Sequence, residues 1–129
     1  MFVLSLLTIV VGVIALKARV DSVRKQQLSP RYFKLMQGQE VPEFVTKTTR
    51  CFNNLFEIPV LFYCVCTLYV ALGIDSTFAL IAAWLFVLFR AAQACIHIGY
   101  NDVIHRLTAF GLSIICVLAL WVDVLVRYS

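Results

Sequence analysis

Arg50, Asn54 and Glu57 stand at intervals of four and three residues, the spacing that sets three side chains on one helix face. Arg90, Gln93 and His97 repeat the pattern at intervals of three and four, and His105 and Arg106 follow. Fixed guanidinium groups recognise carboxylates. A carboxylate with an amide suits an amine and peptide groups. A small zwitterionic peptide with two carboxylates would therefore be matched by Arg50, Arg106 and Arg90 against Glu57 and Asn54. A thiol held beside such cations is partly deprotonated and becomes a nucleophile. Metal chemistry has no such support. Of the five cysteines, Cys64 and Cys66 are two residues apart, so on a helix they point about 200° apart and cannot share an ion. Cysteines in apolar runs read as packing residues. Cys51, nearest the end of its run, is the one to consider for thiol reactivity.

These polar residues sit in a very apolar chain. Of 129 residues, 62% are hydrophobic and 14% charged. A soluble domain of that composition would expose large apolar patches. The 17 aromatic residues also exclude a disordered chain. The apolar residues amount to roughly 80, enough for four segments of about 20, each able to cross a bilayer as a helix. The segments lie at about 1–20, 55–74, 76–100 and 107–126, in a single domain spanning 1–129. The runs are continuously apolar, not alternating, which excludes a barrel, and lipid cannot satisfy an open sheet edge. The expected class is an all-α membrane protein, a four-helix bundle. The first segment lacks a basic leader and a small-residue cleavage site, so it is expected to be a retained helix.

Eight of the 11 basic residues fall between Lys17 and Asn54. The positive-inside rule then places the first connection, about 21–54, and the third in the cytoplasm, with both termini outside. The basic balance reflects topology, and no nucleic-acid partner is expected. Helix one is expected to run on to Leu28, where Ser29 and Pro30 stop it, with Gly38 in an irregular stretch. Pro42 opens helix two. That helix would reach Gly73 and bend where Pro59 releases the carbonyl of Leu55. Arg90 lies about ten residues, roughly 15 Å, from the cytoplasmic end of helix three, with His97 near the surface. Arg90 is expected to reach toward Glu57. The polar residues would then form a pocket open to the cytoplasm and closed toward the outside, where Asp123 serves as an interfacial anchor.

The run from Arg50 through Asn54 and Glu57 to Pro59 resembles the signature of the MAPEG family, the membrane-associated proteins in eicosanoid and glutathione metabolism. That pattern is a basic residue followed by Asn-x-x-Glu at the start of helix two. The stretch from Phe89 to Tyr100, followed by Arg106, looks like the family's helix-three arginine and the later arginine that opens helix four. The resemblance covers nearly the whole chain, with both motifs in order. It implies a left-handed four-helix bundle, a homotrimer, and glutathione as co-substrate at subunit interfaces on the cytoplasmic side. Carried over residue by residue, Arg50, Asn54, Glu57, Arg90 and Gln93 fall at positions for glutathione binding, and Arg106, His97 and Tyr100 at or near those for catalysis. Arg19 or Arg24 matches a further basic contact near the end of helix one. The chain departs from the pattern in three places. Asn53 stands where several catalytic members have arginine, Gln93 where histidine is frequent, and His97 where tyrosine is frequent. Tyr100 lies one turn beyond His97.

The expected function is a membrane glutathione transferase or peroxidase, of a bacterial inner membrane, acting on lipophilic electrophiles. A non-catalytic membrane adaptor is the alternative that the three departures favour. A small multidrug-type transporter using Glu57 is a third, although such exporters usually carry their carboxylate in the first helix.

Overall fold

The computed structural model describes residues 1–35 and 40–128. Among these residues the chain forms α1 (Phe2–Arg24), α2 (Tyr32–Leu35), α3 (Glu43–Asn54), α4 (Ile58–Ala71), α5 (Thr77–Ile98) and α6 (Val103–Tyr128), and no strand. Counting α3 and α4 as one, four segments are long and apolar enough to cross a membrane: Phe2–Arg24, Glu43–Ala71, Thr77–Ile98 and Val103–Tyr128. The shortest of them, at 22 residues, measures about 33 Å as helix, enough for a hydrocarbon core of about 30 Å.

Two elements differ from what the sequence suggests. Helix one ends at Arg24, short of Leu28. The N–H of Lys25 closes its last turn on Asp21, and Gln26 then adopts a left-handed φ of 56°. The N–H groups of Gln27 and Leu28 fold back onto the carbonyl of Ser22, which buries the Leu28 side chain. The reversal thus precedes Ser29 and Pro30. The expected irregular stretch at Gly38 lies outside the described residues.

The second difference concerns helix two. It is two helices instead of one bent one, and α3 stops at Asn54. The N–H of Leu55 turns to Phe52 and that of Phe56 to Asn53, at 3.1 and 2.9 Å, which are tight turns of the kind that end helices. The chain restarts at Ile58, with Pro59 inside the first turn of α4. Proline is tolerated there because the N–H it lacks would have no intrahelical partner.

α5 packs chiefly against α6, α4 against α6, α3 against α5, and α1 against both α3 and α5. The main core gathers Leu4, Phe62, Val65, Phe86, Val117 and Leu120. The Phe62 and Phe86 rings stack at 4.4 Å. Ala79, Ala82 and Cys116 in the same cluster are small enough for neighbouring helices to approach closely, a common device in membranes. A second, smaller cluster of Val11, Cys51, Leu55 and Ala94 ties α1 and α3 to α5. There α1 comes so near α3 that a Cβ on Gly12 would meet the Phe52 ring at 2.8 Å. The outward faces carry Ile9, Val70, Ile115 and Leu125, as expected for helices bathed in lipid.

Candidate functional site

The face of α5 that bears Arg90, Gln93 and His97 is turned inward. These residues are 1%, 5% and 2% exposed, so three polar side chains are enclosed in an apolar bundle. A buried polar group is costly unless it is bonded. Arg90 finds two acceptors. Its Nη1 donates to Oε1 of Gln93 at 2.7 Å, and its Nη2 donates to the backbone carbonyl of Asn54. That carbonyl is free because α3 ends there: in an unbroken helix it would accept the N–H four residues on. Arg90 therefore caps the break between α3 and α4. Its guanidinium also lies 5.7 Å from the centroid of the Phe110 ring, within cation–π range.

This geometry corrects the expected Glu57–Arg90 pair. The break rotates Glu57 out of the face it would share with Asn54 in a continuous helix. Glu57 is the residue preceding α4 and is exposed. Among the described residues it has neither a hydrogen bond nor an ion pair, and the same holds for the exposed Arg50. His97 lies in the last turn of α5, as expected, with its side chain buried. Two buried nitrogens of the cluster, Arg90 Nε and His97 Nδ1, have no hydrogen-bond partner among the described residues. Cys51 is 2% exposed and is enclosed with these groups around a void of about 10 Å³. Its burial removes the accessibility that thiol reactivity requires.

Beside the cluster lies a cavity of about 190 Å³, lined by Asn54, Gln93, Arg106 and Phe110 among others. Three residues expected in the site thus meet at one cavity, with Arg90 and His97 behind it. Arg50, Glu57 and Tyr100 stand outside. Tyr100 is 66% exposed, and its hydroxyl lies 3.1 Å from Nδ1 of His105.

Sequence reasoning missed the turn that sets Arg106. Asn101 takes a left-handed φ of 54°, a conformation that asparagine tolerates. Its N–H closes α5 on Ile96 at 2.8 Å, and its Oδ1 accepts from Arg106 Nη1 at 2.8 Å. Asp102 then caps α6 by accepting the N–H of His105 at 2.9 Å. That bond holds the Asp102 carboxyl below the ordinary carboxylate range. The Asn-Asp pair ahead of an apolar run was the available signal, since such residues favour helix starts. Of the two basic candidates near the end of α1, Arg19 donates to Thr49 of α3 at 3.2 Å, whereas Arg24 is exposed.

The other end of the bundle holds a separate cavity and a second polar network. A cavity of about 520 Å³ lies there between α4 and α5 near residues 74–77, with Phe62, Tyr69, Ser76 and Leu80 in its wall. Asp123, expected to act as an interfacial anchor there, is a hub. Its Oδ2 accepts from Tyr69 at 2.6 Å, Arg127 at 2.9 Å and Ser76 at 3.3 Å, joining α4, the α4–α5 connection and α6.

Comparison with known proteins adds one finding. The profile of the MAPEG family matches residues 1–126. No curated protein matches the chain.

Proposed function

Because the chain belongs to the MAPEG family, we propose that it is an integral membrane, glutathione-dependent transferase or peroxidase acting on lipophilic electrophiles. The observation that carries this reading is the cavity where Asn54, Gln93 and Arg106 meet, backed by the buried Arg90. At about 190 Å³ it falls below the usual range of roughly 300–1,000 Å³ for small-molecule sites. A tripeptide therefore needs a second wall. A homotrimer supplies one if a neighbouring copy covers the exposed Arg50 and Glu57. In that arrangement Arg50 takes a glutathione carboxylate, Glu57 the ammonium, and Asn54 and Gln93 the peptide groups.

Arg106 is the residue suited to the thiol. Its guanidinium, held by Asn101, stabilises a thiolate by lowering the cost of the negative charge. In a transferase reaction the thiolate sulfur forms a bond to the electrophilic carbon. The displaced electron pair leaves with a leaving group or takes up the proton lost by the thiol. Tyr100 stands outside the cavity, paired with His105, and would donate that proton to a substrate extending past the cavity's lining. His97 supports the cavity from behind. The positive-inside rule sets the basic connection on the cytoplasmic side, where glutathione is found.

A titration of the solubilised protein with glutathione, followed by the ultraviolet absorbance of bound thiolate, tests the proposal. Saturation is expected, with binding weakened by Glu57→Gln and the thiolate signal lost in Arg106→Ala. Absence of binding at millimolar glutathione would overturn it. The competing reading is a membrane adaptor. It is favoured by the engagement of Gln93 with Arg90 and of Arg106 with Asn101, which leaves fewer free donors for a ligand. A protein partner without thiol binding would decide for it.

A further inference from the structure

A second charged cavity lies away from the Arg90 cluster, between the basic end of α1 and the start of α3. It measures about 480 Å³. Lys17, Asp21 and Lys25 stand along it at intervals of four residues, one helical row of alternating sign about 12 Å long. Among the described residues none of the three side chains has an ion-pair partner. The remaining wall is largely apolar, with Ile14, Phe44 and Val45 in it.

The place of this cavity along α1 matters. Lys17 is the first charge after an uncharged run that starts at Met1, and Val13 and Leu16 just before it are exposed at 60% and 63%. From Ile14 to Lys25 the cavity runs about 16 Å along the helix. It thus passes from hydrocarbon into the headgroup layer of a bilayer. Phe44, half exposed on the facing helix, is the kind of aromatic residue that sits at this boundary.

We propose that this cavity binds the headgroup and first acyl carbons of an aminophospholipid, a lipid carrying both a phosphate and a primary ammonium. The two lysines take the phosphate, and Asp21 between them accepts the ammonium N–H groups. The apolar wall takes the start of the chain. The alternating row discriminates among lipids. A phosphatidylglycerol headgroup brings the same phosphate but offers Asp21 only neutral hydroxyl donors in place of an ammonium. A choline headgroup has no N–H to donate. The choline lipid keeps the cationic charge but loses the charge-assisted hydrogen bond, so a preference of about tenfold for the ethanolamine lipid is expected, about 1.4 kcal/mol.

Native mass spectrometry of the full-length protein tests this after incubation with equal amounts of phosphatidylethanolamine, phosphatidylcholine and phosphatidylglycerol of identical chains. The ethanolamine lipid should be retained about tenfold over the choline lipid. Asp21→Asn should erase its preference over the glycerol lipid while leaving total lipid retention near the wild-type level. Lys17→Gln with Lys25→Gln should lower retention of all three. Helix content by circular dichroism, unchanged in each variant, ensures that folded proteins are compared. Soluble phosphoethanolamine should fail to displace the lipid at equal concentration. Equal retention of the three lipids, or an unaltered preference in Asp21→Asn, overturns the proposal. Displacement by phosphoethanolamine overturns the assignment to a membrane lipid.

Discussion

Two polar networks lie inside this bundle, and they solve the same physical problem in opposite ways. Around Asp123 one carboxylate oxygen serves three donors, from Tyr69, Ser76 and Arg127. Around Arg90 the donors outnumber the acceptors. The guanidinium reaches Gln93 and a backbone carbonyl, while among the described residues Arg90 Nε and His97 Nδ1 are left unpaired and no carboxylate contacts the group. The first network is satisfied from within and holds helices together. The second carries unspent donor capacity and a cation without a counter-ion. In a medium of low polarity both are costly to leave unmet. The difference separates a region built for cohesion from one suited to receive an anion.

The sharpest way to break the contrast is Arg90→Met. It strips the cap from the Asn54 carbonyl and a partner from Gln93. A loss of about 3 kcal/mol is expected, because two hydrogen bonds from a charged group disappear. Chemical unfolding in detergent would measure it, and Arg90→Lys should recover part. Tyr69→Phe probes the other network. Removing the hydroxyl should cost about 1 kcal/mol and leave glutathione titration unchanged, since that end serves cohesion.

His97→Leu tests whether the unpaired nitrogen is a liability kept for use. Stability should be unchanged or rise by up to about 1 kcal/mol when an unsatisfied buried polar nitrogen is removed, while thiolate formation falls. A variant with both lower stability and intact thiol chemistry would place His97 with the cohesive residues. The smallest effect is expected at Asp102→Asn. The wild-type carboxyl is depressed by the His105 N–H. Its contribution is therefore complete above the unfolded carboxyl value of roughly 4 and disappears as pH falls through the lower folded value. The melting difference between wild type and Asp102→Asn should thus be present at neutral pH and vanish in strong acid.

Much of the architecture was legible in the chain. The four apolar runs marked the spans, and Pro59 marked where the second would be disturbed. What the disturbance became was not legible, because the group that stabilises the break comes from α5, more than thirty residues away. Reading Glu57 and Arg90 as a pair followed from opposite charges in one apolar medium. It failed because residues 55–57 turn Glu57 outward and offer Arg90 a carbonyl in its place. The periodicity of Arg90, Gln93 and His97 did identify an inward face. For Asp123, its neighbours in sequence suggested an anchor, and only the crossing of α4 over α6 brings Tyr69 to it. The role of Asn101 depended on a left-handed turn whose partner, Arg106, lies on the next helix.

The break between α3 and α4 also has a mechanical meaning. A continuous helix over Glu43–Ala71 would be a stiff rod about 43 Å long, obliged to tilt as a whole whenever bilayer thickness changed. With a joint at residues 55–57, the rod becomes a shaft of 14 residues, about 21 Å, carrying a separate arm. Thickening or thinning of the lipid is then absorbed as an angle at the joint. The pin of that joint is a guanidinium on a neighbouring helix. Strain from the membrane therefore converges on Arg90, and through it on the wall of the cavity that Gln93 and Asn54 share.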